Sequence, residues 1–220
     1  MIEKLPHILL GIFLIFWVWS FQGTGNVFNW VLENTLTIVL MIYLIGFFRV
    51  HRFSNVSYVL IFIYMLLHLY GARYTYAETP AGFWLQNIFG WSRNNYDRVV
   101  HFCFGLLLAY PWRELFLKFV KVPKAFCWLL PAEVTLSFAA IYELVEWLVA
   151  DKFFPEQGIA YLGAQGDVWD AQKDMGLAVM GAVIALVITF IFETVFARFH
   201  LLTDRIKKAV ILFPARRRMV

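Results

Sequence analysis

Asp167-Val168-Trp169-Asp170-Ala171-Gln172-Lys173-Asp174, continuing without a charge from Met175 to Phe192, is the stretch that decides the fold. A bilayer takes about 20 apolar residues, so this run reads as a membrane-crossing helix from Asp167 to about Phe196. Its three leading acids are spaced three and four apart and therefore share one face. Gly181 falls on the same stripe two turns later, where a small residue lets another helix approach closely. An acid at a helix start is also an ordinary cap and suits the helix dipole. Capping accounts for Asp167 and can account for Asp170, but accounts poorly for Asp174.

Five more apolar segments precede it. They are predicted from about Pro6 to Phe21, Trp30 to Phe48, Ser54 to Tyr74, Tyr96 to Val120 (with a bend near Pro111) and Phe126 to Val149. Between the third and fourth, residues Pro80 to Asn95 carry Phe83, Trp84, Phe89 and Trp91, which suits a segment in the membrane interface. A loop is expected from Ala150 to Gly166. At 61% hydrophobic and 15% charged, with mean hydropathy +0.68, the chain exposes more apolar surface than a soluble domain tolerates. The expected fold is all-α, a polytopic membrane protein of six helices in one bundle. The whole chain, residues 1–220, is one domain with a short basic C-terminal tail. No cleavable signal peptide is evident, and the first apolar run reads as a retained helix. Cys103 and Cys127 fall too far apart for an expected disulfide.

Lysine and arginine set the orientation. One set of loops and termini holds 14 of them and the other holds 5. Both termini are therefore expected in the cytoplasm of a bacterial inner membrane. The basic tail reads as a topology determinant that also meets anionic headgroups, and nothing else supports nucleic-acid binding.

In this topology His68, Asp97, His101, Glu143, Glu146, Asp167, Asp170 and Asp174 all fall toward the outer side. Ionisable groups at membrane depth cost roughly 2.5–3.5 kcal/mol each and mark function by default. Carboxylates packed together must share protons or take up a cation. The candidate metal ligands are His68, His101, Glu146, Asp167, Asp170 and Asp174, for Zn, Mn or Mg. Glu143 and Glu146, three residues apart on one face, are the candidate catalytic pair, one as general base. Asp97, expected to support the ligands from behind together with Arg98, shares a face with His101, and Gly105 follows one turn further in. The three motifs that would have named a chemistry are missing: His-Glu-x-x-His, Gly-x-Ser-x-Gly and a phosphate loop. Three readings stay open. One is a metal-dependent hydrolase acting on a lipid or lipid-linked substrate. Another is a cation- or proton-coupled transporter. The third is a non-catalytic accessory protein whose polar network fixes helix packing.

Three stretches carry a family resemblance: Tyr96-Asp97-Arg98-Val99-Val100-His101-Phe102, Tyr142-Glu143-Leu144-Val145-Glu146-Trp147, and Gly163-Ala164-Gln165-Gly166 leading into the acids from Asp167 to Asp174. Together with Trp30-Val31-Leu32-Glu33-Asn34 they resemble the YjdF-like family of bacterial inner-membrane proteins, over nearly the whole chain. The resemblance implies a multi-pass membrane protein and supplies no reaction. Within that motif Gln165 and Gln172 are expected to orient the ligands from behind, and Gly166 to permit a sharp entry into the last helix. Arg98 is expected to pair with one of the acids, which lowers the demand for a metal.

Overall fold

A computed structural model describes residues 4–153 and 164–212. Most of the expected loop, residues 154–163, and the tail residues 213–220 lie outside the described residues. Seven α-helices appear, and no strand is found among the described residues. They are α1 (Leu5–Gln22), α2 (Val27–Gly46), α3 (Asn55–Arg73), α4 (Pro80–Phe89), α5 (Tyr96–Leu115), α6 (Phe126–Leu148) and α7 (Asp170–Leu212). The all-α expectation holds.

Local chemistry sets the helix ends. Asn26 accepts the amide of Asn29 at 3.0 Å and caps α2. Ser54 caps α3, and Glu114 of α5 reaches across to accept the Ser54 amide and hydroxyl, each at 2.7 Å. At the other end of α3, Arg73 lies over the Trp19 ring and donates to the Trp19 carbonyl near the end of α1. The Pro80–Asn95 segment, expected only as an interfacial stretch, contains α4, which exposes Phe83, Trp84 and Phe89. Pro111 is buried inside α5, and α5 closes in a wide π turn, Phe116–Val120. A second π turn, Val149–Phe153, follows α6.

Among the described residues, five segments are long and apolar enough to cross a membrane: α1, α2, α3, α6 with its π turn, and α7 as far as Phe196. The six-span expectation is met only to that extent. Of the other two helices, α4 has only 10 residues and α5 has 20, but Asp97 and Arg98 at one end and Arg113 and Glu114 at the other shorten its apolar run. The last helix also differs from expectation at both ends. It begins at Asp170, with Asp167 in the preceding turn, and it continues to Leu212.

The described chain divides at Ala185 into two units, and the second holds the remainder of α7. In the first, α3 packs on α1, α2 and α5, and α5 packs on α6. Phe13, Ile61, Met65, Leu69 and Leu108 form an apolar cluster from α1, α3 and α5. Lipid tails are as apolar as leucine, so close fit and polar contacts hold such helices together more than water exclusion does. Backbones approach closely where α5 crosses α7. A Cβ on Gly105 would stand 1.8 Å from the Ala178 carbonyl oxygen, and one on Gly181 would stand 2.1 Å from the Phe102 carbonyl oxygen. Asp170, Asp174, Ala178, Gly181, Ala182 and Ala185 are all buried at three- or four-residue spacing. The stripe of α7 that carries the acids is thus the one that packs on α5.

Candidate functional site

Two loops set the entrance. Gln165 and Gly166 both take left-handed backbone, φ 48° and 85°, which turns the chain sharply into α7. From that turn the Gln165 side chain accepts the Asn94 amide at 3.2 Å and donates to the Asn94 carbonyl at 2.7 Å. Asn94 is fully enclosed; its side chain donates to the Thr79 carbonyl and accepts the Tyr96 amide that opens α5. The clamp joins the segment before α5 to the segment before α7. It also fixes Arg93, which donates to the Ala164 carbonyl at 2.5 Å. Gln165 therefore acts on backbone, not on an acid, and Gln172 is exposed.

The acids separate into two groups. Asp170 pairs with Arg93 at 2.8 Å and with Arg98 at 3.0 Å. Asp167 pairs with Arg98, takes Lys173 at 2.6 Å and accepts the Trp169 amide at 3.0 Å. Lys173, the Trp169 amide and Arg98 together hold the Asp167 carboxyl well below the usual carboxylate range. A lowered folded value stabilises at every pH above the unfolded value of about 3.9, and the contribution is lost as pH falls through the folded value. Asp167→Asn is therefore expected to lower the thermal midpoint in detergent equally at pH 7 and pH 5. The gap to wild type should narrow only in stronger acid; a gap that closes already at pH 5 would contradict the assignment.

The second group has less cationic cover. Nε2 of His101 lies 3.5 Å from Oδ1 of Asp97 and 3.5 Å from Oε1 of Glu143. Asp174 is 1% exposed, and its Oδ1 has no hydrogen-bond partner. Glu146 is 6% exposed, within electrostatic reach of Asp97, Glu143, Glu33 and Asp174. Asp97, Asp170 and Asp174 each bring a carboxylate oxygen within 4.8 Å of the others, the one such group of three among the described residues. Octahedral Mg binds oxygen at about 2.1 Å, which puts opposite oxygens about 4.2 Å apart. The three oxygens are hard donors of the type such a cation takes, and Asp170 is at the same time held by Arg93 and Arg98.

His68 lies apart from the triangle. Its Nε2 donates to the Glu33 carbonyl at 3.1 Å, and Nδ1 receives the Tyr76 hydroxyl at 2.5 Å. A carbonyl can only accept, so the proton sits on Nε2, and neither ring nitrogen is open to a metal. Glu33 is itself buried and accepts the Tyr142 hydroxyl at 2.5 Å. The structure thus brings together Asp97, His101, Glu143, Glu146, Asp170 and Asp174. It leaves Asp167 to its cations and His68 to a tyrosine.

Arg93, Asn94, Tyr142 and Glu33 were given no site role from the sequence. One signal was available for Glu33. Asn29, Glu33 and Thr37 recur every four residues on α2, and all three are buried. No periodic signal marks Arg93 or Asn94, which lie in a loop.

Residues 5–194 match the family described as "Predicted membrane protein (DUF2238)". The chain is similar to the inner membrane protein YjdF of Escherichia coli (strain K12), 36% identical over 175 residues, covering 78% of this chain and 79% of that protein. No solved structure matches.

Proposed function

The chain belongs to this family of predicted membrane proteins, and from that premise we propose that its acidic end is a divalent-cation site of a lipid-directed hydrolase. One observation carries the reading. Among the described residues, Arg93, Arg98 and Lys173 are engaged with Asp167 and Asp170, and His101 is the basic group that pairs with Asp97 and Glu143, while the buried Asp174 Oδ1 has no hydrogen-bond partner. Buried carboxylates without cover are costly, and a divalent cation supplies the missing charge. Asp97, Asp170 and Asp174 would hold it, and an all-oxygen set favours Mg or Mn over Zn. Such a cation polarises an ester or phosphoester oxygen and lowers the pKa of a water. Glu143, held beside His101, is placed as the general base, and Glu146 stands ready to share its proton.

Placement in the bilayer belongs to the same reading. The lysine and arginine asymmetry supports a bacterial inner membrane with both termini in the cytoplasm and this site at the outer face. The packing of α5 between α3 and α6, and its 20-residue length, support α5 as the sixth span of a single bundle.

Elemental analysis of purified protein is the test. About one equivalent of Mg or Mn is expected in wild type, lost in Asp97→Asn and in Asp174→Asn. A folded wild type that stays metal-free after resupply would overturn the cation. A second reading, a polar network that only fixes helix packing, is favoured by the double engagement of Asp170 with Arg93 and Arg98. It predicts variants that lose stability and no ion.

A further inference from the structure

A cavity of about 440 Å³ runs from the acidic end down between α2, α3, α5 and α6. One face of α5 lines it throughout. Asp97 and His101 stand at the polar end, followed at helical spacing by Phe104, Leu108, Trp112 and Leu115. From Asp97 to Leu115 that face rises about 27 Å, close to the hydrocarbon thickness of about 30 Å. Below the polar end the lining is almost wholly apolar. A dry cavity of about 150 Å³ takes a benzene, so this one takes roughly 15–20 hydrocarbon carbons.

Two features say what enters. Leu36, Val39 and Phe138 line the cavity, yet they are 45%, 59% and 46% exposed on the sides of α2 and α6. The cavity is therefore open sideways, along helices that are apolar enough to face lipid. The second feature is Thr37, which lines it one turn below Glu33. Thr37 is 3% exposed, and its hydroxyl has no partner. In a helix that hydroxyl commonly bonds the carbonyl four residues back. Here that carbonyl, of Glu33, is already taken by His68. A buried hydroxyl without a partner, at the boundary between polar end and apolar cleft, suits the carbonyl of an acyl ester.

We propose that this cleft seats one acyl chain of a membrane lipid, entering sideways between α2 and α6, with the ester carbonyl on Thr37 and the headgroup at Asp97 and His101. It rests on the hydrolase reading only for the fate of the headgroup; the cleft binds the chain whether or not a cation is present.

The test uses the full chain in vesicles of phosphatidylethanolamine and phosphatidylglycerol. The probe is a phosphatidylethanolamine with a diazirine near the end of one acyl chain, and adducts are mapped by mass spectrometry after irradiation. Adducts at Leu108 and Leu115 are expected to saturate with probe fraction. Adducts at Ile42, 67% exposed on α2, should rise in proportion to it. Leu108→Trp and, separately, Leu40→Trp fill the cleft and should remove the saturable adducts while sparing Ile42. Thr37→Val should raise the half-saturating probe fraction roughly two- to tenfold. Asp174→Asn should leave cleft labelling intact, so loss of the ion and loss of the chain are read separately. Labelling of the cleft that never saturates, or that survives in whichever tryptophan variants fold, would overturn the proposal.

Discussion

Gly105→Ala and Gly181→Ala are each expected to cost about 3 kcal/mol or more and to leave little folded protein in detergent. Overfilling a packed interior ordinarily costs about 1–3 kcal/mol because flexible side chains give way. Here the obstacles are backbone: the Ala178 carbonyl stands 1.8 Å from a Cβ on Gly105, and the Phe102 carbonyl 2.1 Å from one on Gly181. Relief needs α5 and α7 to separate, which would also pull Asp174 away from Asp97. Gly176, on the same helix, is the control. A Cβ there meets nothing within 4 Å, so Gly176→Ala should be neutral or slightly stabilising, since alanine is the better helix former. The check is the monodisperse fraction on gel filtration and the thermal midpoint of each variant. Equal behaviour of Gly105→Ala and Gly176→Ala would mean that the two helices do not meet at Gly105.

The double change Arg93→Met with Arg98→Met is expected to destabilise by about 3–5 kcal/mol, the cost of leaving buried charge unpaired. Both arginines hold Asp170, and their side chains are only 10% and 19% exposed. Under the cation reading the loss should be largely reversed by Mn or Mg. A ligand that binds the folded state at about 100 times its dissociation constant contributes about 2.7 kcal/mol. Thermal midpoints with chelator and with excess Mn measure this. A large drop with no recovery in either ion would favour the purely structural network.

The gross fold was legible because a membrane helix announces itself by length and apolarity. The close packing at Gly105 and Gly181 was legible too, since each glycine continues the stripe of the acids above it. Helical spacing also puts Asp97 with His101, Glu143 with Glu146 and Asp170 with Asp174 on shared faces, so that much of the polar group was legible. Partner choice was legible for Arg98, expected on an acid and found on Asp167 and Asp170, but not elsewhere. Nothing in the spacing of His68 says that a tyrosine eight residues later and a backbone carbonyl on another helix will occupy its ring. Nor does it say that Arg93, in a loop, will meet Asp170. Contacts of that kind depend on how loops fold back, and periodicity carries no information about loops. The end of α7 was misread because the charges after Phe196 look like a tail, although the helix continues through them to Leu212.

The clasp of Arg98 on Asp167 and Asp170 joins residues 69 and 72 positions apart. A ribosome adds about 5–20 residues per second, so the arginine is synthesised roughly 4–14 s before its partners exist. During that interval the start of α5 presents an arginine, an aspartate and a histidine to the insertion machinery with no acid from α7 to cover them. A nascent chain stalled before Asp170 therefore holds this helix by α3, α4 and α6, without the acids that clasp Arg98. A premature stop between α6 and α7 would then yield a product recognised by quality-control proteolysis, not a shortened but stable bundle.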